Sequence, residues 1–140
     1  MIPNFNEFGL LPVGIYQTDL TEFEAKLGFN PKRREMIEKG LKPFLTELGR
    51  TAIREIYLDG SFVTIKNNPD DIDGYTITDS LSESAAFILE NSERWHSEYR
   101  VDFNPAFKDL EGEMSQEWWK NFFSQDPESG NSKGFVVLKV

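Results

Sequence analysis

The residues whose types and spacing bear on chemistry are concentrated in one stretch, DGSFVTIKNNPDDIDGY, residues 59–75. A Gly-Ser pair, Gly60 and Ser61, follows a short strand, and after nine further residues Asp71-Ile72-Asp73 opens the next one. Successive strand residues point to opposite faces, so Asp71 and Asp73 project on the same side with Cα atoms about 6 to 7 Å apart. Two carboxylates so placed repel one another unless a cation lies between them. Mg²⁺ takes oxygen ligands at about 2.0 to 2.1 Å and commonly uses one or two protein carboxylates together with phosphate oxygens, a requirement this pair meets. Two such ions about 3.5 to 4 Å apart can clamp the attacking and leaving oxygens of a phosphoryl displacement. Gly60 lets the backbone approach a ligand closely, and the N–H groups around Ser61, with its hydroxyl, could hold phosphate oxygens. Either feature alone is ordinary, since an isolated D-x-D commonly ends a strand at solvent and Gly-Ser is common turn chemistry. The combination at this spacing is far more specific.

The elements that must position these residues follow from periodicity. Arg54–Leu58 and Asp71–Ile77 carry β-branched and aromatic residues with turn residues on both sides, and both read as strands. Tyr99–Phe103 alternates Tyr99, Val101 and Phe103 against Arg100 and Asp102, the pattern of a half-buried third strand. Gly134–Val140 supplies a fourth. A short helix is expected after Thr21, closed by Gly28, and a longer one after Asn30-Pro31 with Ile37, Leu41, Phe44, Leu45 and Leu48 at helical spacing, ending at Gly49. Pro43 removes one backbone bond inside it, so a bend or two shorter helices is expected. Ser80 and Glu83 have the spacing of a capping box ahead of Leu81, Ala85, Ile88 and Leu89, which places a helix over about 81–95. Ser115–Phe123 forms a last helix carrying Trp118, Trp119, Phe122 and Phe123. These are two adjacent pairs, so one stripe cannot bury them all; core packing is their expected use, with a partner or base-stacking surface as the alternative. Residues 1 to about 20 begin as an extended arm packed on the domain. The order of elements implies an α/β (α+β) fold with a small mixed sheet flanked by helices.

Composition narrows the chemistry. At 140 residues the chain is one domain in size, and 39% hydrophobic with 14% aromatic residues is too rich in core-formers for disorder. No apolar run approaches the roughly 20 residues of a membrane helix, and no basic-then-apolar leader opens the chain, so a soluble, cytoplasmic protein is expected. The absence of cysteine excludes disulfides, zinc-thiolate and iron-sulfur sites and a cysteine nucleophile. One histidine, His96, leaves only an oxygen-ligated hard cation such as Mg²⁺ as a metal partner. The net charge of −9 disfavours a general nucleic-acid binder, although residues 32–54 carry seven bases against three acids. Such a basic stretch is usually a solvated helix face, and here it could guide an RNA end. Lys66 could reach a triphosphate or be only solvated, and Lys133 has the same two readings. His96, beside Trp95, reads as a surface or partly packed histidine.

Gly60, Ser61, Asp71, Ile72 and Asp73 together resemble the signature of the DNA polymerase β-like nucleotidyltransferase superfamily: an apolar residue, Gly, Gly or Ser, about nine to thirteen residues, then acid-apolar-acid-apolar. Two flanks depart, Asp59 standing before the glycine and Gly74 after the second acid, where apolar residues are usual. Over most of its length the chain is similar to small bacterial proteins of that superfamily without assigned function, through LPVGIY, LTEFEAKLG, GSFVTIKNNPDDID and Lys133-Gly134. The resemblance implies a nucleotidyltransferase-like fold and a third carboxylate on a later strand, for which Asp102 in YRVDF is the candidate. It implies that Asp71, Asp73 and Asp102 hold Mg²⁺, with Asp102 beside the attacking oxygen, and that Gly60 and Ser61 bind the β and γ phosphates of the NTP. Lys66 is a nucleotide-binding candidate by its place in the loop and not by the signature. The activity implied is transfer of a nucleoside monophosphate from NTP to an unidentified acceptor hydroxyl, on RNA, protein or a small molecule, with release of pyrophosphate. The alternative is a non-catalytic nucleotide-binding or regulatory protein, such as a toxin-antitoxin or phage-defence component, working with a partner protein or as a homo-oligomer. The small size and the aromatic helix favour the alternative; the presence of all three acids favours the enzyme.

Overall fold

The computed structural model describes residues 1–140. Its strands are β1 (Ile15–Thr18), β2 (Glu55–Asp59), β3 (Ile72–Thr78), β4 (Val101–Phe107) and β5 (Phe135–Lys139). Its helices are α1 (Leu20–Leu27), α2 (Pro31–Met36), α3 (Lys42–Leu48), α4 (Glu83–Tyr99) and α5 (Gln116–Phe123). The strands form one mixed sheet in the order β1-β5-β2-β3-β4, which makes the fold α+β. β1 runs parallel to β5 and β3 parallel to β4, while β2 is antiparallel to both of its neighbours. No helix is long and apolar enough to cross a membrane.

The two faces of the sheet are used differently. Ile56, Leu58, Ile72, Val101, Phe103, Val136 and Leu138 alternate onto one face and join Phe23, Leu27, Ile37, Phe44, Ile88 and Trp95 from the helices in the main core. On the other face Tyr75, Ala106 and Phe135 pack against Trp119 and Phe123 of α5 in a small aromatic cluster. Of the four aromatic residues on α5, Trp119 and Phe123 are buried, whereas Phe122 is exposed. Asp59, Asp73 and Asp102 follow the parity of this second face, and Asp59 and Asp73 share a cleft with Phe122 and Phe123 at the edge of the α5 cluster.

Several boundaries differ from the periodicity, each for a local reason. The arm is extended chain as expected, but its end is regular structure, because Ile15–Thr18 pairs with β5 as an edge strand. α1 starts two residues early, since Asp19 rather than Thr21 caps it by accepting the Glu22 N–H at 2.7 Å. Asn30 caps α2 at the Arg33 N–H, and between α2 and α3 the chain makes a π turn, Ile37–Leu41, in which the Lys42 N–H reaches back to the Ile37 carbonyl. The wider turn directly precedes Pro43, so the helix is broken into two as the proline requires. Ser82, not Ser80, caps α4, accepting the Ala85 N–H at 3.0 Å. Ser80 is drawn instead to the Asp109 carboxylate through its N–H (2.8 Å) and hydroxyl (2.6 Å). Leu81 and Leu89 therefore lie exposed, and Ala85, Ile88 and Trp95 form the buried face. α4 extends through Tyr99 and stops where Arg100 turns left-handed (φ 53°), so β4 begins at Val101.

Glu47 ties α3 to α4. Its carboxylate accepts from Arg94 (3.1 Å for Nη1), the Tyr99 hydroxyl (2.6 Å) and the Trp95 indole (3.2 Å). Arg94 first, then the hydrogen bonds from Tyr99 and Trp95, hold its pKa down to about 2 despite partial burial. A carboxylate with a lowered folded pKa contributes stability that is complete above its unfolded pKa, near 4.5, and is lost as the pH falls toward 2. Glu47→Gln is expected to cost about 1 to 2 kcal/mol at pH 7, allowing for screening around the half-exposed Arg94. Urea titrations should show the gap between wild type and variant closing from pH 4.5 downward; a pH-independent gap would refute the ion-pair account.

Candidate functional site

Strand register builds the site. Asp59 on β2 stands directly opposite Asp73 on β3, and Asp73 stands opposite Asp102 on β4, so three neighbouring strands present carboxylates in one row. Asp71, two residues before Asp73, projects from the same face. Carboxylate oxygens of Asp71, Asp73 and Asp102 all lie within 4.8 Å of one another. The structure thus brings together the three acids singled out from the sequence. Asp102 is exposed, while Asp71 and Asp73 are partly buried. His96 approaches from α4, its Nε2 3.7 Å from Asp71 Oδ2, with most of the imidazole in solvent.

Crowding of like charges is visible in the ionisation of the row. Burial, then the charges of Asp71, Asp102 and Asp59, push Asp73 up to about 8. Burial and Asp102 also raise Asp71. A cation bound between these oxygens would reverse the preference by favouring the ionised forms. Three carboxylates without nitrogen or sulfur donors suit a hard divalent cation such as Mg²⁺.

Gly60 and Ser61 open a 3₁₀ turn, Gly60–Val63, directly after β2. Gly60 has φ +75°, and a Cβ there would overlap the Asp73 carboxylate, so both conformation and space demand glycine. The departure at Gly74 is also steric: a Cβ would lie 2.8 Å from the Tyr57 carbonyl and 2.9 Å from a Leu58 methyl. Gly60, Ser61, Lys66 and Asp73 line one cleft of about 720 Å³, on the wall of which Lys66 is exposed.

Arg33 holds this loop. The basic stretch is not uniformly solvated, because the Arg33 guanidinium is fully buried and donates to the carbonyls of Leu27, Ser61, Phe62, Thr64 and Lys66 at 2.5 to 3.3 Å. It also lies over the rings of Phe29 and Phe62. Burial lowers its pKa to about 10, still far above neutrality.

Two residues of the site were not read as a pair in the sequence. Lys133, fully buried, donates to the equally buried Asp59 carboxylate, joining the segment before β5 to the end of β2. Burial raises the Asp59 pKa and Lys133 opposes the rise. The available signals were the anomaly of a charged residue before Gly60 and the lysine of Lys133-Gly134.

Fold and site together define an α+β domain with a carboxylate row at the sheet's open face beside a glycine-serine turn. The chain belongs to a family of unknown function (DUF6932), which it matches over residues 3–139. Searches of curated proteins and of solved structures found no match.

Asp73→Asn should stabilise the cation-free protein. An acid whose folded pKa is raised destabilises the fold progressively as the pH rises from its unfolded value near 4 toward 8. The gain should be on the order of 1 to 3 kcal/mol at pH 8 and vanish near pH 4, as followed by thermal unfolding in EDTA. Lys133→Met should cost about 3 to 5 kcal/mol by stranding Asp59 among other carboxylates, and adding Asp59→Asn should recover most of it. Additive losses in the double variant, measured by urea unfolding, would exclude that coupling.

Proposed function

We propose that this protein is a Mg²⁺-dependent nucleotidyltransferase of the cytoplasm, transferring a nucleoside monophosphate from NTP to an acceptor hydroxyl. The observation that carries the reading is the convergence of Asp71, Asp73 and Asp102 within 4.8 Å beside the Gly60-Ser61 turn. Asp71, Asp73 and Asp102 would hold the cation, which when bound neutralises the charge that develops on the transferring phosphoryl group. Gly60 and Ser61 bind the β and γ phosphates, with Lys66 on the same wall. The acceptor oxygen bonds to the α-phosphorus as the bond to the bridging oxygen breaks, and pyrophosphate leaves. Asp102, open to solvent, favours loss of the acceptor proton to water. Positioning and charge neutralisation account for most of the catalysis.

Calorimetric titration with each of the four NTPs tests this. At least one NTP should bind with Mg²⁺, not in EDTA, and Asp71→Ala/Asp73→Ala should abolish the binding. Because the cation competes with the proton on Asp73, apparent affinity for Mg²⁺ should rise with pH up to about 8 and then level off. A folded wild type that binds no NTP at saturating Mg²⁺ would overturn the enzyme reading in favour of a regulatory role with a partner protein.

A further inference from the structure

The cleft that holds Gly60, Ser61 and Asp73 is chemically divided along its length. Its inner end is charged, lined by Asp59, Asp73 and Lys133 as well as the Gly-Ser turn. Its walls also carry Phe8, Ile65 and Phe122, which are large apolar side chains left 61%, 58% and 58% exposed. Single exposed apolar residues are unremarkable, but three on one cleft, contributed by three distant parts of the chain, mark a binding surface.

These side chains are held in place from behind. The Ile65 N–H donates to the Gly9 carbonyl at 2.9 Å, and Leu10 bridges Thr64, so the arm bearing Phe8 is fastened to the loop bearing Ile65. Phe122 is stacked on Trp118, with ring centroids 5.3 Å apart and planes 7° from parallel. Trp119 and Phe123 anchor the same helix in the second core. The cleft therefore presents preformed aromatic faces, and its volume of about 720 Å³ lies within the range of small-molecule sites.

Resting on the nucleotide reading above, we infer that Phe8, Ile65 and Phe122 form the seat of the nucleotide's base, with the triphosphate directed inward to the Gly60-Ser61 turn. Aromatic side chains accept any base by its flat face, whereas an inorganic polyphosphate gains nothing from them. Asp126 and Glu128 on the same cleft carry negative charge, which disfavours the reverse orientation with phosphates at that rim. The arm before β1 thereby becomes part of the substrate site.

The test compares Mg²⁺-dependent binding of ATP, GTP, CTP, UTP and inorganic tripolyphosphate by calorimetry. Wild type, Phe8→Ala, Phe122→Ala and the double variant are used, with Leu89→Ala on exposed α4 surface as the control. The best NTP should bind wild type at least tenfold more tightly than tripolyphosphate. Each alanine variant should lose several-fold in NTP affinity and the double variant most of the difference, with tripolyphosphate affinity unchanged. Circular dichroism checks the fold of each, and Phe122→Trp should keep the NTP preference if Phe122→Ala proves unstable. Equal binding of NTP and tripolyphosphate by wild type, or an undiminished preference in the folded double variant, overturns the base seat and leaves the metal-triphosphate reading standing. Failure of both ligands to bind wild type overturns that reading and the base seat with it.

Discussion

Mutual repulsion among four aspartates is the constraint around which the domain is arranged. The register of β2, β3 and β4 fixes Asp59, Asp73 and Asp102 in a row, and Asp71 adds a fourth negative group on the same face. Nothing in a hydrophobic core would hold these groups together, so each neighbouring feature offsets some of the cost. Lys133 neutralises the most deeply buried of the four, and Gly60 leaves room for the Asp73 carboxylate. Solvent reaches Asp102, which limits its desolvation.

The division of the sheet explains why the row can exist. The main core lies on the face covered by α1 to α4, and it supplies most of the buried apolar contact. The other face is covered only at one end, by α5. Charges are thus confined to the end where the second layer stops, and the packing of the first layer does not depend on them. Arg33 extends the same economy to the loop: one guanidinium satisfies five backbone carbonyls that a helix or strand would otherwise have to pair. It fixes the path from Ser61 to Lys66 without adding a carboxylate near the row.

What was legible in the sequence follows from the range of the interactions involved. The common side of Asp71 and Asp73 and the outward setting of Asp102 relative to Val101 and Phe103 are consequences of strand alternation, which is local. The alignment of Asp102 with Asp73 is not local; it depends on β3 and β4 being parallel neighbours across the whole of α4. The Asp59–Lys133 pair joins residues 74 positions apart and leaves no periodic trace. Arg33 looked like its basic neighbours because its burial is decided by a loop some thirty residues downstream. Helix starts at Asp19 and Ser82 were displaced by competition among nearby hydrogen-bonding residues, and tertiary contact with Asp109 decided the second case. β1 leaves little trace in the sequence because it is four residues long, its residue types, Ile-Tyr-Gln-Thr, do not alternate apolar with polar, and none of the four is fully buried.

The place of β5 has a consequence for the time order in which the molecule assembles. It is last in sequence, yet it lies between β1 and β2 and is the only strand that β1 pairs with. As the chain leaves the ribosome, β2, β3 and α4 with β4 can associate through nearer contacts, whereas the first strand waits for residues more than a hundred positions away. Closing so long a loop is slow relative to local pairing. Lys133 arrives on the same segment, so the counter-charge for Asp59 is delivered by the step that completes the sheet. A nascent chain not yet extended through Lys133 would hold its aspartates without that lysine, and the row would settle only when β5 pairs.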